Sequence, residues 1–231
     1  MPKTTQLLIS ACLLGCLIAP ASSRAQAPGP ENLQAISEKI LQGRKSNMLS
    51  LRAYSWNQRT ETVKDGEVMS TKLELVRYDA SGSEQRSILT EKKPEQKKRI
   101  AGRIQKKKMG EMKEWGENVK SLLMKYSLPN VASLTDFLSK ARISSTDEPG
   151  QIVLNANNVV QTGDRMTMYI NKMDHEIQKT KIFTNYEADS AHLEITHGQL
   201  PEGINYIKEM NLNINTKGIQ LKVENFNYNR N

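Results

Sequence analysis

LRAYSWNQRTETV, residues 51–63, then KDG, then EVMSTKLELVRYDASG, residues 67–82, is the stretch on which the fold turns. Two runs rich in β-branched and aromatic residues flank Asp65-Gly66, a dipeptide suited to a two-residue hairpin turn, and a second turn follows at Asp79 to Gly82. Met69, Thr71, Leu73 and Leu75 alternate, which puts them on one face of a strand. SEQRSILT, residues 83–90, then reads as a third strand of the same meander.

Working outward, PENLQAISEKILQG, residues 30–43, predicts a helix, because Leu33, Ile36, Ile40 and Leu41 recur at helical spacing and Gly43 offers a stop. On the other side, Met112, Trp115, Val119, Leu122 and Tyr126 recur at spacings of three and four, the mark of an amphipathic helix with a charged outer face. Residues 130–141, NVASLTDFLSKA, predict another, with Asn130 as N-cap and Val131, Leu134 and Leu138 inward. After Gly150 the runs QIVLNANNVV, RMTMYINK, EIQKTKIFTNYE, AHLEITH, NYIKEMNLNIN and IQLKVENFNYN read as strands, with hairpin turns at Asn171 to Asp174 and Asn215 to Gly218. The expected class is therefore α+β: a curved antiparallel sheet or incomplete β-barrel covered by an N-terminal helix and mid-chain helices.

The chain opens with Lys3, the apolar run LLISACLLGCLIAP and the small residues ASSRAQA, the order of a secretory signal peptide. Cleavage after Ala25 leaves a single domain over residues 26–231 and a periplasmic address. The apolar run is short for a membrane span, and it continues past Cys16, so an uncleaved anchor and lipidation at Cys16 are the lesser alternatives. Cys12 and Cys16 are the only cysteines, so the mature chain would hold no disulfide, thiolate metal site or thiol nucleophile.

The formal net charge of +8 is local. Residues 91–125 carry twelve Lys or Arg against five Glu, concentrated in a basic insertion at about 91–110. Nucleic acid is excluded mainly by the export address, and secondarily because no aromatics lie among the basic residues to stack on bases. A solvated charged loop is one reading of the insertion. The other is contact with an anionic membrane surface through Lys97, Lys98, Arg99, Arg103, Lys106, Lys107 and Lys108, continuing into the amphipathic helix.

Catalytic chemistry has no positive sign. There is no GxSxG elbow, phosphate-binding glycine loop or HExxH, and the carboxylates show no acid/base spacing. Of three histidines, His192 and His197 fall on opposite faces of one strand, and His175 sits in the turn MDHE with too few converging ligands for a metal. The expectation is a non-enzyme with no catalytic residues, no metal and no cofactor.

The N-terminal helix, the strand LRAYSWNQRTETVKDGEV, the mid-chain helices and the closing hairpin LPEGINYIKEMNLNINTKGIQLKVENFNYN together resemble the LolA/LolB-like superfamily of periplasmic lipoprotein carriers and related envelope proteins. The resemblance implies an incomplete barrel whose helix-plugged concave face holds acyl chains. The function expected is then an exported binding protein for an apolar or amphipathic ligand, a lipid or an acylated protein. Its groove would be lined by Trp115, Val119, Leu122 and Tyr126 of the helix, and by Met166, Met168, Ile170, Met210, Leu212 and Ile214 of two alternating strands. The alternative from another class is a structural or interaction module whose interior is a filled core, its basic segment docking on an acidic envelope partner.

Overall fold

A computed structural model describes residues 32–92, 118–119, 121–128, 130–144, 146, 148–186 and 189–231. The leader, residues 93–110 of the basic insertion and Trp115 lie outside the described residues.

Helix α1 (Leu33–Leu51) starts where Asn32 Oδ1 accepts a hydrogen bond from Gln34 N at 3.0 Å, satisfying one amide of the first turn. It does not stop at Gly43 but runs two further turns, so the first strand begins at Tyr54 rather than Leu51. A glycine inside a helix costs about 1 kcal/mol relative to alanine. Here the extension offsets that cost with tertiary contacts: Arg44 donates to the Leu128 carbonyl at 3.3 Å, and Asn47 reaches Glu176. Ile36, Ile40 and Asn47 form the buried stripe.

The strands are β1 (Tyr54–Lys64), β2 (Glu67–Tyr78), β3 (Glu84–Lys92), β4 (Arg142–Ser144), β5 (Gln151–Asn157), β6 (Arg165–Asn171), β7 (Ile177–Tyr186), β8 (Asp189–Gln199), β9 (Asn205–Ile214) and β10 (Ile219–Arg230). They form one curved, unclosed sheet in the order β3-β2-β1-β10-β9-β8-β7-β6-β5-β4, with every pairing antiparallel. The expected α+β architecture is thus observed. Two meanders, β1 to β3 and β4 to β10, are welded where the first strand pairs with the last, Tyr54 opposite Arg230. The β1–β2 turn has positive φ at both Asp65 (50°) and Gly66 (84°), the two-residue geometry that follows strand twist and that Asp-Gly adopts at low cost. Strand β4 is new; three residues carry too little alternation to announce it.

Residues 118–119 and 121–126 are the described helical residues of a second helix, α2, and Val131–Lys140 form α3. Helix α3 begins with a reciprocal capping box: Ser133 N donates to Asn130 Oδ1 at 2.9 Å, and Asn130 N donates to Ser133 Oγ at 3.4 Å. Its inward residues are Leu134, Phe137 and Leu138, whereas Val131, expected inside, lies at the open first turn and is 36 % exposed.

The core lies between the helices and the β5–β9 face of the sheet. Rows run across the strands in register: Ala156, Met166, Ile182, Leu193, Leu212 and Leu221 in one, Leu154, Met168, Thr180 and Ile195 in the next. Ile36 and Ile40 of α1, Leu123 and Tyr126 of α2, and Leu134, Phe137 and Leu138 of α3 close over them as one cluster. Helix faces and sheet face are each apolar on one side only, so docking removes both from water together.

Candidate functional site

The apolar face gathers most of the residues expected to line a groove. Val119, Tyr126, Met166, Met168, Ile170, Leu212 and Ile214 are buried in the core cluster, with Leu122 and Met210 partly buried against it. The inward helix stripe is Val119, Leu123 and Tyr126, spaced four and three, so Leu123 takes the central place that the spacing had given to Leu122. Tyr126 ties this helix down at its apolar–polar boundary, its hydroxyl donating to Asp164 Oδ2 at 2.9 Å and lying 2.6 Å from Thr184 Oγ1. Burial pushes that hydroxyl's pKa far up, so it remains a donor. Asp164 also accepts from the amides of Val159, Val160 and Gln161 at 2.7–2.9 Å, which explains how a carboxylate is tolerated at 1 % exposure.

Beside this face is a void of only about 10 Å³, bounded among others by Arg44, Tyr126, Leu134, Met168, Ile177 and His197. A much larger space, about 600 Å³, opens as a polar cleft on the far side of Ile177 and His197. Its walls come from Glu148 and Gln151 at the start of β5, Tyr169 and Asn171 at the end of β6, Asp174 and Glu176 in the following turn, Gln178, Lys179 and Lys181 on β7, Thr196 to Gln199 on β8, and Asn205 on β9. The two spaces share Ile177 and His197 as a common wall.

That wall is held by a buried polar relay. Asn47 Nδ2 donates to both carboxylate oxygens of Glu176, at 3.1 and 3.0 Å, while its Oδ1 accepts from Asn205 N at 3.2 Å, and Asn205 Nδ2 donates to the Ile177 carbonyl at 3.1 Å. Burial raises the Glu176 pKa, an effect that the Asn47 hydrogen bond and the nearby Arg44 charge oppose and Asp174 reinforces. Burial also lowers the pKa of the Arg44 guanidinium. His197 is held down to about 3, by burial first and the Arg44 charge second, against a hydrogen bond with the Gln178 backbone. The imidazole is therefore neutral at ordinary pH, and its Nδ1 is buried without a hydrogen-bond partner. His192 lies on the opposite face, stacked on Phe183 with ring centroids 4.6 Å apart. At Gly198, next to His197, a Cβ would lie 2.9 Å from the far end of the Tyr206 ring, so a side chain there would require that ring to move.

Among the described residues, no group of three or more His, Cys, Asp or Glu side chains is placed to hold a metal ion, and no helix is long and apolar enough to cross a membrane. The sequence had singled out neither the relay nor the cleft. Arg44 and Asn47 fall beyond the expected helix end, and the cleft's lysines sit on a strand whose alternation signals only a solvated face.

Solved structures to which the chain is similar include a DUF1329 family protein from Desulfovibrio piger, at TM-score 0.42 and 6 % identity over 86 % of this chain and 93 % of that one. A LolA superfamily protein from Nitrosomonas europaea matches at TM-score 0.38 and 11 % identity, over 87 % and 94 %. A domain from Vibrio parahaemolyticus described as a candidate outer membrane lipoprotein-sorting protein matches at 0.40 and 10 %, over 86 % and 93 %. No family model and no curated protein matches the sequence.

Proposed function

We propose that this is an exported, non-catalytic periplasmic protein that binds an apolar or amphipathic envelope ligand, a lipid or the acyl chain of a lipoprotein, under its helical layer. The observation that carries the reading is the cover itself. The β5–β9 face is roofed by helix α2 and its neighbours rather than by a second sheet, and Tyr126 fastens α2 through hydrogen bonds that can break and reform. Met166 and Met168 line the roofed face, and the flexible thioether repacks around chains of varied shape. The void of about 10 Å³ is far below the volume of an acyl chain, so uptake requires α2 to lift.

Native mass spectrometry of the protein purified from the periplasm tests export and ligand together. The expected species starts at Gln26 and carries near-stoichiometric lipid; retention of residues 1–25 or a lipid adduct on Cys16 overturns the export assignment. After delipidation the protein should take up a fluorescent fatty acid, and Met168→Trp should abolish uptake while leaving a folded protein. The basic residues Lys97, Lys98, Arg99, Arg103, Lys106, Lys107 and Lys108 are assigned to an anionic membrane surface. Vesicle binding should then weaken when Lys106, Lys107 and Lys108 become Gln, and should fall with salt, since exposed charges are screened over about 10 Å at 0.1 M.

The second reading, an interaction module with a filled core, is favoured by the same small void. On that reading Met168→Trp overpacks the core and destabilises by ~1–3 kcal/mol, and the delipidated protein takes up no fatty acid.

A further inference from the structure

The polar cleft has a composition that the apolar face does not explain. Its amides are largely engaged in holding the walls: Asn171 Oδ1 accepts from Met173 N at 2.9 Å, Gln199 donates to the Gly203 carbonyl at 3.3 Å, and Asn205 is committed to Asn47 and Ile177. What the cleft offers a ligand is charge of both signs, segregated along β7. Glu148, Asp174 and Glu176 lie at the turn end, and Lys179 and Lys181 follow on the strand. Lys179 Nζ lies 3.2 Å from Glu194, a pair with both partners about a third exposed (38 % and 32 %), and such surface pairs exchange readily for a better anion. Lys181 Nζ sits 5.6 Å from the centre of the Tyr169 ring, which holds it over the cleft. His197 stands in the wall shared with the core, its Nδ1 buried and without a hydrogen-bond partner.

We propose that the cleft binds the zwitterionic headgroup of an amphiphile of the phosphoethanolamine class, phosphate toward Lys179 and Lys181 and ammonium toward Asp174 and Glu176, with the chain passing between Ile177 and His197 onto the apolar face. The proposal rests on the lipid-binding reading above and names its ligand class. Segregated charge selects a dipolar headgroup over a simple anion, because a bare phosphate gains from the lysines but meets three carboxylates. The shared wall makes the cleft the polar mouth of the apolar face, so one amphiphile can occupy both.

The test compares four probes on the full mature chain: lysophosphatidylethanolamine with one dodecanoyl chain, the uncharged 1-dodecanoylglycerol, water-soluble glycerophosphoethanolamine, and inorganic phosphate. On the wild-type protein the charged lysolipid should bind more tightly than its uncharged counterpart. In the Lys179→Gln/Lys181→Gln variant that preference should drop about tenfold, the loss of roughly one charge-assisted hydrogen bond. Circular dichroism confirms that the variant is folded, and the His197 imidazole resonances should shift on adding glycerophosphoethanolamine. An unchanged preference in the variant overturns the headgroup site, as does phosphate binding as tightly as glycerophosphoethanolamine. If the soluble headgroup shifts His197 but neither dodecanoyl probe binds, the cleft stands and the acyl-binding reading fails. If no probe binds, both fail.

Discussion

Met168→Asp is expected to unfold most of the protein at neutral pH. Met168 is 1 % exposed, flanked in register by Leu154 and Thr180 and covered by the helical layer. An aspartate there has no cationic partner in its own row, and the Arg44 guanidinium bordering the same small void offsets only part of its desolvation, so the cost is several kcal/mol, comparable with the roughly 5–15 kcal/mol that stabilises a whole domain. The variant's pH dependence distinguishes this cause from lost packing. Burial raises the folded-state pKa of the new carboxyl above its unfolded value, so the folded state takes up a proton first as pH falls. The deficit relative to wild type is then largest near neutrality and shrinks on acidification. Met168→Leu, which keeps volume and apolarity, should cost under about 1.5 kcal/mol. Urea denaturation of the three proteins at two pH values measures all of this. A Met168→Asp protein within about 1 kcal/mol of wild type at pH 7 would mean that the side chain reaches water, and the helical layer would then be open in the resting state.

What could be read in advance follows the reach of the forces involved. The turn at Asp65-Gly66 is fixed by two adjacent residues, and the face of Met166, Met168 and Ile170 by a period of two, so both are written locally and both are observed. The end of α1 is not local. Gly43 would stop an isolated helix, but the side chain of Glu176 lies where a larger residue's Cβ would contact it at 3.4 Å, and Arg44 and Asn47 one turn on find partners far along the chain. The stripe of α2 slipped by one residue because spacings of three and four around Leu122 and Leu123 are equally helical, and only the shape of the sheet face chooses between them. The cleft was illegible for a related reason. His197, Glu176, Asn47 and Asn205 come from four separate segments, and the neutrality of His197 comes from its burial first and second from Arg44, in the part of α1 beyond Gly43.

The same histidine should make the protein acid-labile in a defined window. His197 titrates at about 3 in the folded state, against about 6.5 in an unfolded chain. Between those values the unfolded state binds the additional proton, so stability rises with pH across the window and is lost as pH falls from 6.5 toward 3. One proton corresponds to about 1.4 kcal/mol per pH unit, so the drop from pH 6 to pH 4 is expected to be roughly 2–3 kcal/mol. Glu176 acts in the opposite direction, because its raised folded pKa makes the folded state the better proton acceptor in acid, and this takes back part of the loss. Asp79 joins only later. Its folded pKa is lowered to about 2 by hydrogen bonds from Ser81, Ser83 and Gln85, so its stabilisation is lost only below the ordinary carboxylate value of 3.8. His197→Gln removes the titrating group while keeping a polar side chain, and should flatten the stability profile between pH 6 and pH 4 while leaving the fall below 3.8. Denaturant midpoints across that range decide it. Equal slopes for the variant and the wild type would mean that His197 protonates in place, which requires the wall between cleft and core to admit water.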